Sequence, residues 1–230
     1  MVSIFIILIS IILFLEFFLF IIVKKIRNNF QWLITEKDNT PLFEDKDLKK
    51  FFSRSFDKNL GWSKKPKIIG YETLRLKKTK FTLDKEGARN SQYKNFKNKI
   101  EAYGDSYVFG RFVKDNNVWT EYLSKKIKHN IKNFGVGNYG FDQSLLRYKQ
   151  NKKNKFTKLV IIGFVPETIN RIQSVWKHYL EFGNIYAIKP IYVLENKKIK
   201  FIKNPIKHIK DFNDSFFPNI EKKIKKYDLF

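Results

Sequence analysis

Lys-Ile-Glu-Ala-Tyr-Gly-Asp-Ser-Tyr-Val-Phe-Gly, residues 99–110, is the stretch that decides the fold. Ile100 and Ala102 alternate with other residues, a pattern typical of a β-strand with one buried face. The glycine that follows allows a sharp turn, and the Asp105-Ser106 pair favours turns and helix starts over strand interiors. The stretch therefore predicts a strand that ends in a serine, at the edge where open α/β sheets bind ligands. A plain strand-ending turn explains these residues equally well.

Strand-like and helix-like segments alternate after this stretch. In chain order, the predicted elements are helix 118–128, strand 130–136, helix 141–150, strand 159–165, helix 169–180 and hairpin 191–202. Strand 159–165 is a continuous apolar run, which is typical of a parallel strand covered on both faces. The alternation predicts an α/β domain with parallel strands at residues 99–103, 130–136 and 159–165. After Pro205 the chain is rich in lysine, and no fourth parallel strand is visible.

Composition excludes several classes of site. The 230 residues contain no cysteine, so the chain has no disulfide, thiol nucleophile or cysteine metal ligand. The net charge of +24 is compatible with binding to nucleic acid, anionic lipid or an acidic polymer. However, lysines occur along the whole chain rather than in one stripe, which favours a general compositional bias. No nucleic-acid partner is expected, because no aromatic binding module accompanies the charge.

The N-terminus is almost wholly apolar. Residues 2–23 are interrupted only by Ser3, Ser10 and Glu16, and about 20 apolar residues suffice to cross a bilayer as a helix. A signal peptide would carry a basic start and a small-residue cleavage site, and neither is present. The sequence therefore predicts an uncleaved, single-pass membrane anchor that contacts lipid through residues 2–23.

The side of the membrane on which the rest of the chain lies is left open. Lys24, Lys25 and Arg27 follow the apolar run and place that side in the cytoplasm by the positive-inside rule, but the high lysine background weakens this argument. The expected organisation is an anchor (1–23), a juxtamembrane linker (24–60) with a short helix at 45–52, a small β-rich preface (61–98) and an α/β domain (99–230).

Two later segments are considered together with residues 99–110. They are Asn133–Gln143, with its Gly-Val-Gly-Asn-Tyr-Gly run, and Lys158–Arg171, which ends in Pro-Glu-Thr-Ile-Asn-Arg. In this order and spacing, the three segments resemble the SGNH (GDSL-type) hydrolases, particularly members found with bacterial surface-polysaccharide genes. The resemblance covers roughly residues 61–205. It implies a partial flavodoxin-like parallel sheet and a serine ester hydrolase or O-acyl transferase that acts on a carbohydrate ester without a metal or cofactor.

The resemblance also implies site residues. Ser106 would be the nucleophile, with Asp105 beside it, and the Ser106 N–H would be one oxyanion donor. The second donor would be a backbone N–H at Gly137–Asn138, where Asn138 replaces the family's usual glycine; asparagine tolerates left-handed backbone. The third would be the side-chain amide of Asn170. If the register differs, Thr168 would take the place of Asn170 as the third donor. Asn170 could instead serve only as a helix cap.

Arg89 and Asn90 belong to a Gly-Trp…Gly-x-Arg preface similar to that of the family. They are possible substrate contacts, with a structural hydrogen-bonding role as the alternative.

The family's catalytic base comes from an Asp-x-x-His block, and this chain has no aspartate followed three residues later by histidine. His129, His178 and His208 are each interpreted as surface residues, and His208 is the only late candidate base. The chain is therefore expected to stop short of the family's last strands and its base. The alternatives to an enzyme are a catalytically silent glycan-binding or scaffold protein, and a basic polyanion or lipid binder.

Overall fold

The computed structural model describes residues 2–26, 41–151, 157–181 and 183–229. The predicted linker falls partly at residues 27–40, which lie outside the described residues. The described helices are α1 (Val2–Ile26), α2 (Asp45–Arg54), α3 (Ser106–Phe109), α4 (Trp119–Ile127), α5 (Phe141–Asn151), α6 (Pro166–Asn170), α7 (Lys177–Leu180) and α8 (Phe217–Lys225). The described strands are β1 (Phe56–Asp57), β2 (Gly61–Trp62), β3 (Ile69–Leu74), β4 (Lys77–Thr82), β5 (Asn98–Tyr103), β6 (Asn130–Asn133), β7 (Leu159–Ile162), β8 (Ile191–Glu195) and β9 (Lys198–Ile202).

The three predicted parallel strands form one sheet with β5 in the centre. Both β6 and β7 pair with β5 in parallel, so that Ile100 lies opposite Ile131 on one side and Leu159 on the other. Ladder hydrogen bonds continue past the strand ends, from the Val136 N–H to the Gly104 carbonyl and from the Gly163 N–H to the Tyr103 carbonyl. The predicted mixed α/β architecture is therefore confirmed. Because the first strand is central, the direction of winding reverses at β5, and in open α/β sheets such a reversal is where ligands bind, at the carboxyl ends of the strands.

Helices cover both faces of this sheet. On one face, Ile100 and Ile131 pack with Val108 of α3, and Leu123 of α4 lies against them. On the other face, Tyr103 and Phe134 form a cluster against which Tyr148 of α5 packs. The alternation at residues 100–103 thus sends successive side chains to opposite faces, as the period of a strand requires.

The expected boundary between a linker and a β-rich preface at residue 60 differs from the structure. Helix α2 confirms the predicted short helix, but its Leu48 is 3% exposed and belongs to a core cluster with Trp176, Phe212 and Phe217. Residues 41–60 are therefore part of the folded body. The physical reason is the apolar face of α2, which buries against the C-terminal helices rather than remaining in solvent.

The preface and the C-terminal hairpin agree with the prediction in type. Strands β3 and β4 form an antiparallel hairpin, and an isolated bridge joins Leu83 to Arg89. Strands β8 and β9 form the second hairpin. Leu60 and Trp62 pack with Val136 and Tyr139, so the start of the preface contacts the segment that follows β6.

The single helix predicted at residues 169–180 is wrong. The chain instead forms α6, a 3-10 turn at Arg171–Gln173, and α7 after an extended break. The Asp228 carboxylate accepts hydrogen bonds from the Val175 and Trp176 N–H groups at 2.7 and 2.8 Å. Because this distant carboxylate binds the N–H groups of the break, the helix is divided by a tertiary contact.

Helix α1 contains a window, Ile4–Lys25, with a mean hydropathy of 3.2. Its apolar side chains are exposed. Its length and composition fit a membrane span, and they also fit a signal sequence. The helix continues to Ile26, three residues beyond the predicted anchor.

Candidate active site at the carboxyl edge of the sheet

Ser106 is the first residue of α3, immediately after the central strand turns. Asp105 is its N-cap residue: the Asp105 Oδ1 atom accepts a hydrogen bond of 2.9 Å from the Tyr107 N–H. Ser106 is half-buried, and its hydroxyl makes no hydrogen bond to any residue that the structure describes. The geometry therefore leaves this hydroxyl available for an incoming group.

Two glycines permit the close packing around this turn. Gly104 has a φ of +157°, and a Cβ there would lie 2.3 Å from the Val108 Cγ2 atom and 2.8 Å from the Gly163 carbonyl oxygen. A Cβ at Gly135 would lie 2.3 Å from the Phe109 backbone nitrogen. The ends of β6 and β7 consequently pass directly against α3, and no larger residue fits without displacing backbone.

The Gly137–Asn138 segment forms a turn beside α3. Asn138 has a φ of +68°, the left-handed conformation anticipated for an asparagine in place of glycine. The Gly137 carbonyl accepts a hydrogen bond of 3.1 Å from the Trp62 indole N–H. The Tyr139 hydroxyl in turn donates to the Trp62 carbonyl at 2.7 Å. These bonds hold the turn against the preface.

Arg171 connects the ends of all three strands, and the sequence reasoning missed it. Its Nη1 atom lies 3.4 Å from the Asp105 Oδ2 atom and 3.3 Å from the Tyr139 carbonyl oxygen. Asp105 is 1% exposed, so this ion pair is largely shielded from water. The available signal was a basic residue directly after Asn170, in a segment already assigned to the site. Asp105, with both carboxylate oxygens engaged, therefore holds the turn.

Two further residues extend this pair into a charged cluster, defined as Asp105, Arg171, Glu181 and Lys177. Arg171 Nη2 lies 3.3 Å from Glu181 Oε1, and Lys177 forms an ion pair with the same carboxylate. Burial raises the pKa of Glu181, but Lys177 and Arg171 outweigh it and lower that pKa below its ordinary value. Burial lowers the pKa of Lys177, opposed by Glu181.

A second buried ion pair lies beside the charged cluster. Lys189 Nζ is 2.5 Å from Asp142 Oδ2, and the two side chains are 3% and 4% exposed. Burial raises the pKa of Asp142, with the Lys189 ammonium opposing it. Lys189 shares a narrow cavity with Arg171 and Lys177, so several cations converge beneath the Gly137–Asn138 turn.

Thr168 and Asn170, the two residues predicted as candidates for the third oxyanion donor, differ in burial and hydrogen bonding. Thr168 is 1% exposed, and its hydroxyl donates to the Val165 carbonyl at 2.6 Å, so its proton is already engaged. Asn170 is exposed at the end of α6 and makes no side-chain capping bond. Its amide is unengaged among the described residues, and it follows β7 at the same edge of the sheet as Ser106.

Arg89 and Asn90 have structural partners. Arg89 is 3% exposed; its guanidinium donates to the carbonyls of Phe109 and Gly110, each at 2.7 Å, and to Val113, and it pairs with Asp115 at 2.8 Å. It thus clamps the loop that follows α3. The Asn90 amide donates to the Thr82 hydroxyl at 2.8 Å. Both residues therefore make structural hydrogen bonds within the protein, the alternative role that the sequence left open.

None of the histidines is hydrogen-bonded to Ser106. The His129 Nδ1 atom lies 2.8 Å from the Ile127 carbonyl oxygen, and exposed His208 caps a 3-10 turn with Asp211. The expectation of a surface histidine is wrong for His178, which is 4% exposed because α7 packs into the aromatic core beside Trp176. Burial lowers the pKa of His178, opposed by Glu221.

A cleft of about 260 Å³ adjoins the Gly137–Asn138 turn. Its chemically distinctive lining residues are Trp62, Lys64, Glu72, Arg111, Asn138 and Asn184. Glu72 lies 3.4 Å from Lys64 and 3.9 Å from Arg111, so two cations share one carboxylate. Burial lowers the pKa of Lys64, while Glu72 opposes that shift. The cleft combines an indole, amides and excess positive charge.

Within the described ranges, no group of three or more histidine, cysteine, aspartate or glutamate residues is arranged to hold a metal ion. A scan against protein-family models found no match to the sequence, and a search of curated proteins found no significant relative.

Proposed function

We propose that the protein is an SGNH-type serine ester hydrolase or O-acyl transferase acting on a carbohydrate ester, with Ser106 as nucleophile. One observation carries the proposal: the unengaged Ser106 hydroxyl follows the central strand at the carboxyl edge of the sheet. The neighbouring left-handed turn at Asn138 and the Asp105–Arg171 ion pair support it. We also propose that the parallel sheet is part of a flavodoxin-like fold.

In this mechanism the Ser106 oxygen attacks the ester carbonyl, the carbonyl oxygen becomes an oxyanion, and the sugar alcohol leaves. Preorganised donors stabilise that oxyanion: the Ser106 N–H, a backbone N–H at Gly137–Asn138 and the Asn170 amide. Arg171 positions the turn through Asp105 and the Tyr139 carbonyl. Water or a second sugar hydroxyl then releases the acyl group from Ser106.

The serine must lose its proton during attack, and no described residue accepts a hydrogen bond from it. A base supplied from solution therefore provides a test. With full-length protein in detergent, imidazole should accelerate hydrolysis of an aryl acetate by the wild type more than by Ser106→Ala. Without imidazole, turnover should be barely above background.

Matched variants make this test specific. Ser53→Ala, on the exposed face of α2, should keep the full imidazole-dependent rate. Asn170→Ala should reduce that rate by about 10²–10³-fold, the usual loss for one oxyanion donor. Imidazole-dependent turnover that is equal in wild type and Ser106→Ala would exclude Ser106 as the nucleophile. Robust turnover without imidazole that requires His208 would identify His208 as the base.

We also propose that α1 is a single-pass membrane anchor, since its apolar side chains are exposed along its length. The protein should remain in the membrane pellet after alkaline carbonate treatment, and deletion of residues 1–26 should release it. Extraction of the intact chain by carbonate would contradict the anchor.

A catalytically silent glycan-binding protein is the second candidate. Two observations favour it: a cleft is lined by Trp62 and two asparagine amides, and Ser106 has no hydrogen-bonded base among the described residues. This candidate predicts oligosaccharide binding that is unchanged by Ser106→Ala and lost on Trp62→Ala, with no imidazole-dependent turnover.

A further inference from the structure

Another cavity, of about 520 Å³, shares no lining residue with the cleft or the narrow cavity beside the Gly137–Asn138 turn. The C-terminal half of α5, the β1–β2 loop, and the end of β9 with the segment after it form its walls. The residues that give it its chemistry are Lys58, Leu146, Phe201, Lys203, Asn204 and Lys207. Among the described residues, none that lines it is acidic.

The three lysines are available to a ligand. None of them forms an ion pair with a described carboxylate. The nearest carboxylates in sequence are engaged by backbone: Asp57 accepts the Asn59 and Leu60 N–H groups, and Asp211 accepts the Lys207 and His208 N–H groups. With three lysines and no acidic residue among its described lining residues, the rim carries a net positive charge.

Asn204 supplies a second, independent observation. Its side chain is 4% exposed, and its Oδ1 atom accepts the Ile206 N–H at 3.1 Å. That bond fixes the orientation of the amide, so the Nδ2 group is the remaining donor, and it has no hydrogen-bond partner within the described part of the chain. A buried donor without a partner is destabilising, and a ligand oxygen in the adjacent cavity would remove that cost.

We propose that this cavity binds a phosphate group, with the three lysine ammonium groups and the Asn204 amide as donors. Phosphate oxygens accept several charge-assisted hydrogen bonds at once. Leu146 and Phe201 provide an apolar wall for the body that carries the phosphate. A phospholipid headgroup and a soluble phosphate compound share this chemistry, and the experiment separates them.

The first arm uses full-length protein in phosphatidylcholine nanodiscs, titrated with inorganic pyrophosphate in a calorimeter. The double variant Lys58→Gln/Lys203→Gln should bind about tenfold more weakly or worse, because charge-assisted hydrogen bonds are lost. The control Lys125→Gln/Lys126→Gln removes the same charge from exposed positions on α4. It should weaken binding by no more than about twofold, because exposed charges are screened.

The second arm compares hydrogen exchange in phosphatidylcholine nanodiscs with exchange in nanodiscs containing phosphatidylglycerol. A lipid headgroup in the cavity should protect residues 198–207 only with phosphatidylglycerol, and the Lys58→Gln/Lys203→Gln variant should lose that protection. Binding in the first arm alone identifies a soluble phosphate compound as the source, and protection in the second arm identifies the lipid.

The variant Asn204→Asp provides a further test in both experiments. The aspartate keeps an acceptor for the Ile206 N–H, but it replaces the Nδ2 donor with a negatively charged oxygen. It should abolish binding of either probe. The proposal is overturned if neither probe binds. It is also overturned if the Lys58→Gln/Lys203→Gln pair and the Lys125→Gln/Lys126→Gln pair weaken binding equally.

Discussion

The ends of β5 and β7 lie at the same edge of one sheet, yet they are held very differently. After β5, the turn at Ser106 is fixed by the Asp105 cap, by the Arg89 clamp and by glycines that allow no larger residue. After β7, the chain forms a five-residue helix that ends at exposed Asn170 and continues through a 3-10 turn. Ser106, the nucleophile of the proposed site, thus lies in the tightly held turn after β5. Asn170, one of the proposed oxyanion donors, lies in the less constrained segment after β7.

The two strand ends also differ in what determines their structure. Residues close in sequence contribute more after β5, and contacts between distant residues contribute more after β7. The turn after β5 is capped from within the Gly-Asp-Ser run by Asp105, and Arg89 and Gly135 add tertiary contacts to it. The segment after β7 has no side-chain cap at its helix start, and it is shaped by Asp228 and by the ion pairs of Arg171. Arg171 is the described link between the two ends. Replacing the residues that hold the turn after β5 should therefore lower the free energy of unfolding most. Replacing residues in the segment after β7 should lower it less, mainly by altering charge interactions.

Removal of the Arg89 clamp should have the largest effect. Arg89→Met leaves the Phe109, Gly110 and Val113 carbonyls without their donor and Asp115 without its cation, and breaking such a buried pair costs about 3–5 kcal/mol. For a chain of this size we expect the unfolding temperature to fall by roughly 10 °C. Arg54→Met, at an exposed helix end, should change it by less than about 2 °C. A small effect of Arg89→Met would show that the β5 side is not rigidly held.

Two glycines of one loop provide the next test. Gly135→Ala places a methyl group against the Phe109 backbone, and overpacking of this kind costs about 1–3 kcal/mol. At Gly137 a Cβ would meet no atom within 4 Å, so Gly137→Ala should be close to neutral. Thermal unfolding of both variants measures the difference, and equal unfolding temperatures would contradict the close approach of β6 to α3.

The smallest effect belongs to His178 on α7, beyond β7. Burial lowers its pKa in the folded protein, so the unfolded chain binds more protons once the pH falls to about 6.5, the ordinary histidine value. Stability should therefore be lost as the pH falls from about 7.5 through 6.5 toward the lower folded pKa, by an amount on the order of 1 kcal/mol.

Denaturant unfolding at several pH values measures this dependence. His178→Gln should flatten the profile in this window. A profile that keeps its slope in His178→Gln would assign the dependence to other groups.

The same contrast explains what could be predicted from sequence. The β5–Ser106 turn, the parallel partners of β5, helix α2 and the hairpin at residues 191–202 all follow from local periodicity and turn residues. The broken helix after Asn170, the burial of His178 and the docking of α2 depend on contacts between distant residues such as Val175 and Asp228. For Arg171 the sequence offers only its position directly after Asn170, and its role follows from the contacts with Asp105 and Tyr139 that the fold creates.

The central claim, that Ser106 is a nucleophile at the end of β5, is tested most directly by covalent labelling. Full-length protein is treated with an alkyl fluorophosphonate, with and without imidazole, and the tryptic peptide of residues 100–111 is analysed by mass spectrometry. We predict an adduct on Ser106 that forms faster with imidazole, is absent in Ser106→Ala and has no counterpart at Ser53. An unmodified Ser106 under both conditions, or labelling of Ser106 and Ser53 at the same rate, would contradict the account.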